Sequence, residues 1–142
     1  MTLVDRLVAD PLRSVVAVIS AATVLSGLVQ LVVPGTVLDL LGAESTPTTR
    51  QLFAIVGMFM AVVGGVTLQA LLTEPTPAYV VLWCAVQKLG AFVAVTVGVT
   101  RDLFDTVAMA VAVFDLVTAL LAGALWWRLH SLDAARREQV LA

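Results

Sequence analysis

Residues 51–72, QLFAIVGMFMAVVGGVTLQALL, decide the fold class because this run of 22 residues contains no charged side chain. At the rise of an α-helix the run covers about 33 Å, enough to cross a hydrocarbon layer of about 30 Å. A membrane strand would alternate polar and apolar residues, and this run does not. Since a backbone in lipid has to satisfy its own hydrogen bonds, the run predicts a transmembrane helix.

Three more apolar runs carry no charge or very few charges, and the four predicted spans lie near residues 14–33, 51–72, 78–100 and 103–127. The chain of 142 residues is 61% hydrophobic and only 13% charged, which leaves too few charges to cover a soluble domain. The turns at 73–77 and 100–102 are short, so the spans that they join must be antiparallel. The sequence therefore predicts one all-α domain, residues 1–142, an integral membrane four-transmembrane-helix bundle with up-down-up-down topology.

The segments outside the spans give the predicted orientation. Residues 2–9 are expected to form a short interfacial helix, and residues 128–142 a polar cytoplasmic tail. Five arginines flank the side that carries both termini, and two flank the other side. The positive-inside rule then predicts a multi-pass protein of the cell membrane with both termini in the cytoplasm. Seven of the eight basic residues are arginine, a bias that suggests a prokaryotic genome rich in GC.

Two ionisable residues lie deep inside predicted spans. Lys88 is the only lysine and lies in the apolar stretch VLWCAVQKLGAF, and Asp115 is the only acidic residue at a similar depth. Each lies 13.5 residues from the middle of the predicted turn between Arg101 and Asp102, so both are expected about 20 Å from that turn. An unpaired charge at this depth costs several kcal/mol, and pairing offsets part of the cost. Equal depth favours an intramembrane pair, whereas the helix rotations that decide contact stay open.

The Lys88 and Asp115 pair has two interpretations. It is either a buried ion pair that fixes helix register or a subunit contact, or a functional pair in a ligand, ion or proton pathway. Gln87 lies next to Lys88 in the sequence and is a candidate for extending a polar cluster around it. At the opposite end from the termini, Asp39, Glu44 and Arg50 are expected to form a solvated charged cluster.

Small residues recur at about four-residue spacing in the spans, which lets membrane helices approach closely. The predicted helix-packing positions are Gly57, Ala61, Gly64, Gly90, Ala94, Gly98, Ala112, Ala119 and Gly123.

Several chemistries find no support in the sequence. Cys84 is the only cysteine and His130 the only histidine, so the chain has no disulfide, no CxxC motif and no histidine-rich metal site. A net charge of −2 provides no basic field for nucleic acid. The sequence contains no recognisable pairing of a nucleophile with a general base. We therefore predict no catalytic residue, no metal and no cofactor.

A break at Pro34 and Gly35, the segment "LLG" at residues 40–42 and a glycine-rich second span form a recognisable layout. In these features the chain resembles the DoxX-like group of small four-helix bacterial membrane proteins. The resemblance implies a partner subunit or an uncharacterised membrane protein without a defined reaction, and it carries over no functional residue.

Three function classes follow. The first is a non-enzymatic multi-pass membrane protein that binds a lipid or small hydrophobic ligand, or assists a membrane partner. The second is an oligomeric small-molecule or proton-coupled transporter or channel that uses Lys88 and Asp115, which requires symmetry-related copies because four spans enclose little room. The first class is favoured because the loops are too short to build a soluble active site. The third, a membrane enzyme, is the least favoured because the sequence contains no nucleophile–base or metal-ligand constellation. The expected partners are the lipid bilayer and either further copies of the chain or a membrane protein.

Overall fold

The computed structural model describes residues 10–141, so the interfacial helix predicted at residues 2–9 lies outside the described part. Within it the chain forms α1 (Pro11–Val32), α2 (Pro34–Leu40), α3 (Pro47–Leu71), α4 (Ala78–Thr100) and α5 (Ala108–Leu141). Four of these helices are long and apolar enough to cross a membrane: Pro11–Val32, Pro47–Leu71, Ala78–Thr100 and Ala108–Leu132. The predicted all-α fold with four membrane-spanning helices is confirmed.

Local sequence signals set the helix starts. The side chain of Asp10 caps α1 by accepting a hydrogen bond from the backbone N–H of Arg13, and Pro11 occupies the first turn. Thr46 caps α3 in the same way, and Pro47 follows it. The helices therefore begin three or four residues before the predicted spans, because polar residues at the membrane surface continue a helix as well as apolar ones do.

The first and third helices pack with their backbones in contact. A Cβ atom built on Gly27 would lie 2.6 Å from the carbonyl oxygen of Gly57 and 2.7 Å from the backbone nitrogen of Ala61. A Cβ atom on Gly64 would lie 3.0 Å from the carbonyl oxygen of Ser20. At Gly27, Gly57 and Gly64, only glycine allows the two backbones to come this close. The predicted packing positions Gly57, Ala61 and Gly64 all lie in this α1–α3 contact.

The fourth and fifth helices form a second closely packed pair. Ala112 and Ala119 of α5 are buried, while Gly90 and Ala94 of α4 are exposed. The two exposed residues lie about 200° and 240° around the helix from the buried Lys88, which places them on its outer side. A Cβ atom on Gly123 would also meet no atom within 4 Å. Gly90 and Ala94 thus lie on the exposed side of α4, and Gly123 is half-buried with open space where a side chain would lie.

The two pairs are joined at both ends. At the end that carries the termini, a buried cluster contains Val16 of α1, Leu71 of α3, Val81 of α4 and Leu125 of α5. At the other end, which we call the connection end, the backbone N–H of Asp105 donates to the carbonyl of Leu41 at 2.8 Å. The two helix pairs are therefore held together at both ends of the bundle.

The last helix begins at Ala108, later than the residue near 103 predicted for the fourth span. Asp102 has a left-handed φ of 55°, and the N–H of Leu103 returns to the carbonyl of Gly98 at 2.9 Å. The ring of Phe104 then packs where a side chain on Gly98 would lie. The connection is thus a folded segment that runs back along α4, and the apolar character of Phe104 reflects this packing, whereas the side chain of Leu103 is exposed. At its other end α5 remains helical to Leu141, through most of the predicted tail.

Candidate intramembrane and interfacial sites

The structure brings Lys88 and Asp115 together. The Nζ atom of Lys88 lies 2.7 Å from Oδ1 of Asp115, and the two residues are only 3% and 5% exposed. Each side chain projects from the face of its helix that meets the other helix of the pair. The contact is therefore a charge-assisted hydrogen bond shielded from the surrounding apolar medium.

The two residues reach the same depth because the connection folds back. Phe104 returns to the level of Gly98; Lys88 lies ten residues before Gly98 and Asp115 eleven residues after Phe104. The number of residues from each charge to the Gly98–Phe104 contact is therefore nearly equal, although the centre of the connection lies beyond Arg101 and Asp102. An error in the predicted turn therefore left the relative depth of the pair unchanged.

Few other groups contact the pair. The ring of Phe114 has its centroid 5.5 Å from the Nζ atom of Lys88, a cation–π distance. The hydroxyl of Thr118 donates to the carbonyl of Phe114 within its own helix, and Thr67 likewise donates to Val63. These hydroxyls are therefore used inside their helices, and the carboxylate and ammonium depend mainly on each other.

Gln87 does not join the pair. Adjacent residues of a helix point about 100° apart, so its side chain leaves α4 to one side of Lys88. Its Oε1 atom is buried and accepts no hydrogen bond from the described residues, and the hydroxyl oxygen of Thr23 is in the same situation. Buried polar atoms without a partner are uncommon. The interior thus carries polar groups besides the ion pair.

At the end that carries the termini, Arg13 links α1 to the end of α3. Its Nε atom donates to the carbonyl of Leu71 at 2.8 Å, and its Nη1 atom lies 2.5 Å from Oε1 of Glu74. The carbonyl of Leu71 is one that the helix itself leaves without a partner. Sequence reasoning treated Arg13 only as an orientation signal, although a basic residue level with a helix C-terminus is a recognised capping arrangement.

Asp10 is held by two arginines at the same end. It pairs with the guanidinium of Arg128 and accepts from the backbone N–H of Arg13. Partial burial alone would raise the pKa of Asp10, but the hydrogen bonds and positive charges of the two arginines outweigh it and lower this pKa below 3.8. The contact ties the start of α1 to α5.

A third group of residues, both apolar and polar, lines a shallow and open cleft of about 350 Å³ at the connection end. The cleft residues are Val33, Pro34, Gly35, Thr36, Asp39 and Arg50. Asp39 and Arg50 are exposed, and no ion pair joins them within 4.0 Å in the described part of the chain. Arg50 instead lies against Gly35, and its Nε atom donates to the hydroxyl of Ser45 at 2.8 Å. Asp39 and Arg50 of the predicted solvated cluster thus line a shallow depression that no spacing in the sequence indicates, whereas Glu44 does not line it.

Among residues 10–141, no group of three or more His, Cys, Asp or Glu side chains is placed to hold a metal ion.

Comparison with known proteins adds no relative. No protein-family model matches the chain, and no curated protein or solved structure is significantly similar to it.

Proposed function

We propose that this chain is a small non-enzymatic multi-pass membrane protein that binds a phospholipid in the cleft at its connection end. The observation that carries the proposal is the composition and position of the cleft. It combines an apolar wall, Val33 and Pro34, with two opposite charges that do not pair with each other. An amphipathic molecule satisfies both parts at once.

The depth of the cleft agrees with a lipid ligand. The first spanning helix has 22 residues and is about 33 Å long, slightly more than the hydrocarbon thickness of about 30 Å. Val33 follows its last residue, so the cleft opens at the level of lipid headgroups. Acyl chains of a lipid bound there would run down along α1 and α3, whose outer faces carry exposed Val29, Leu52 and Val56.

In this proposal Lys88 and Asp115 have a structural role. Their contact is short, buried and confined to the α4–α5 pair, so it fixes how these helices face each other. A buried pair of this kind contributes more to a defined register than to net stability.

The proposal extends to location and partners. The excess of arginines on the side of the termini supports a cell-membrane protein with cytoplasmic termini, which places the cleft in the outer leaflet. The outward face at Gly90 and Ala94 suits a second copy or a partner helix, since small residues allow close approach. We keep a prokaryotic source and membership of the DoxX-like group as parts of the same proposal.

A second candidate is an oligomeric proton-coupled transporter. The observation in its favour is the buried Oε1 atom of Gln87, which accepts no hydrogen bond from the described residues. Gln87 is next to Lys88 in the sequence. A pathway would have to run between copies of the chain. In that case Asp115→Asn changes proton flux into liposomes, whereas the lipid-binding proposal expects no flux from either protein.

Native mass spectrometry of the full chain tests lipid binding. The detergent-purified protein is mixed with a defined phospholipid mixture, and bound phospholipid is compared among the wild type, Arg50→Gln and the matched control Arg101→Gln. We expect Arg50→Gln to lose most of the bound lipid. Arg101→Gln is expected to bind as much lipid as the wild type because Arg101 does not line the cleft. Equal binding by all three proteins would refute a lipid site at the cleft.

A further inference from the structure

We infer that the cleft selects a zwitterionic phospholipid whose headgroup carries a primary ammonium, as ethanolamine phospholipids do. This inference rests on the proposed lipid binding and names the ligand of that same site. It is argued from Asp39 and Arg50, the two charged residues that line the cleft.

The guanidinium of Arg50 provides the phosphate contact. Arginine has five N–H donors, and here the one on Nε is used by the hydroxyl of Ser45. Arg50 is exposed and forms no other side-chain hydrogen bond with a described residue, so the donors on its two terminal nitrogens are available to a ligand in the cleft that it lines. Two parallel N–H donors match a phosphate, which arginine binds in a bidentate manner.

Asp39 provides the complementary charge. Its carboxylate accepts no side-chain hydrogen bond and forms no ion pair within the described chain, and it lines the cleft together with Arg50. Because these two charges lie in one cleft without meeting, a ligand that carries both a phosphate and an ammonium can bridge them. A ligand with a single charge leaves one of the two side chains unpaired.

The charge of the connection end disfavours an anionic lipid. The connection end carries four carboxylates, on Asp39, Glu44, Asp102 and Asp105, and two guanidinium groups, on Arg101 and on Arg50 in the first turn of α3. This end therefore has a net charge of −2, which repels a headgroup of net negative charge and attracts an ammonium. The phosphate of a zwitterionic lipid enters such a field at little net cost because its own ammonium accompanies it.

The lining also distinguishes a primary from a quaternary ammonium. Quaternary ammonium groups cannot donate hydrogen bonds and are recognised chiefly by the faces of aromatic rings. The residues that line the cleft include no aromatic side chain. A carboxylate instead favours a group that donates N–H hydrogen bonds to it, which a primary ammonium does.

The experiment compares three phospholipids with identical acyl chains and ethanolamine, choline or glycerol headgroups, titrated onto the full-length protein in detergent. Binding is read by native mass spectrometry as an apparent Kd for each. For the wild type we expect a preference for ethanolamine over choline on the order of fivefold, the ratio that an exposed ion pair supports. Asp39→Asn removes this preference and still binds both lipids, whereas the control Glu44→Gln, a carboxylate outside the cleft lining, retains it.

Further arms separate the possible failures. Tighter binding of the glycerol lipid, or equal binding of ethanolamine and choline lipids by the wild type, overturns the headgroup assignment while leaving lipid binding at the cleft intact. Soluble glycerophosphoethanolamine that competes as well as the whole lipid overturns the assignment of a membrane ligand. Asp39→Glu, which retains the charge, distinguishes loss of recognition from misfolding, because restored preference requires a folded cleft. Absence of any lipid effect of Arg50→Gln refutes the proposed function itself.

Discussion

At the scale of single residues, the Lys88–Asp115 contact is the most consequential feature of the interior. Removing one partner leaves a charge buried without compensation, and such losses cost about 3 to 5 kcal/mol. We therefore expect Lys88→Met and Asp115→Leu each to lower the free energy of unfolding by about that amount. The double variant replaces the pair with apolar groups of similar size and is expected to unfold near the wild-type value.

Reversible unfolding in mixed micelles measures these differences, with Gln87→Leu as a control on the same helix turn. A double variant as unstable as the single ones contradicts the explanation by an uncompensated charge and indicates that the pair itself contributes net stability. A double variant that is stable but alters proton flux supports the transporter alternative instead.

A second residue-scale prediction concerns acid. The pKa of Asp10 is lowered in the folded protein, so the unfolded state binds a proton more readily. The stability that Asp10 contributes is therefore fully present above its ordinary pKa of 3.8 and is lost as the pH falls through the lower folded value. We expect Asp10→Asn, which still caps α1 because asparagine is a good N-cap, to show a shallower loss of stability between pH 5 and 3.

Thermal unfolding across that pH range measures the slope, with Asp102→Asn as the matched control. A slope in Asp10→Asn that equals the wild-type slope contradicts a contribution from this carboxylate.

The sequence predicted the depth of Lys88 and Asp115 because depth depends only on counting residues along helices of known rise. It did not predict contact, since contact depends on helix rotation, which is set by packing between residues far apart in the chain. The same limit applies to Gln87, whose closeness to Lys88 in sequence placed it in a possible polar cluster. On a helix, neighbours in sequence point in different directions, and the structure leaves the two side chains apart.

At the scale of helices, a small residue contributes to packing only when it lies on the face that contacts a neighbouring helix. The glycines of α3 make the clearest test: a Cβ atom on Gly57 would lie 2.6 Å from the carbonyl oxygen of Gly27, whereas one on Gly65 would meet no atom within 4 Å. Gly57→Ala forces α1 and α3 apart and is expected to cost about 1 to 3 kcal/mol, as overpacking does. Gly65→Ala, on the same helix, is expected to leave the melting temperature unchanged or slightly raised because alanine favours helix. Equal melting temperatures for the two variants would contradict the close α1–α3 contact.

Helix ends were predicted only approximately, for a physical reason. Hydropathy marks where a chain enters lipid, but a helix ends where its backbone finds other hydrogen bonds. Thus α1 begins after its Asp10 cap, before the apolar run, and α5 begins at Ala108, after the backbone has folded back and Phe104 has packed against α4. The positive φ of Asp102 that allows this return has no strong sequence signal, because aspartate adopts that conformation only occasionally.

At the scale of the whole molecule, the two helix pairs meet at both ends, so that one end presents the arginine contacts and the other the cleft. The composition predicted a membrane protein because an apolar surface of this extent requires lipid as its solvent, and the described spans indeed expose many large apolar side chains. The cleft was not predicted, since it arises from α2 lying beside the start of α3. Its biological meaning depends on which side of the membrane it faces.

That orientation can be tested by cysteine labelling in intact cells. Cys84 is buried, and Cys84→Ala provides a background without thiols. Thr48 at the connection end and Ser131 at the other end are both exposed, so Thr48→Cys and Ser131→Cys report on the two sides. Five arginines on the side of the termini against two on the other predict that a membrane-impermeant maleimide labels Thr48→Cys and spares Ser131→Cys until the cells are lysed.

The reverse pattern would place the cleft in the inner leaflet, and Asp39 and Arg50 would then meet the lipids of the cytoplasmic face. Labelling of both positions in intact cells would indicate that the chain inserts in two orientations, in which case the arginine excess is too small to fix its topology.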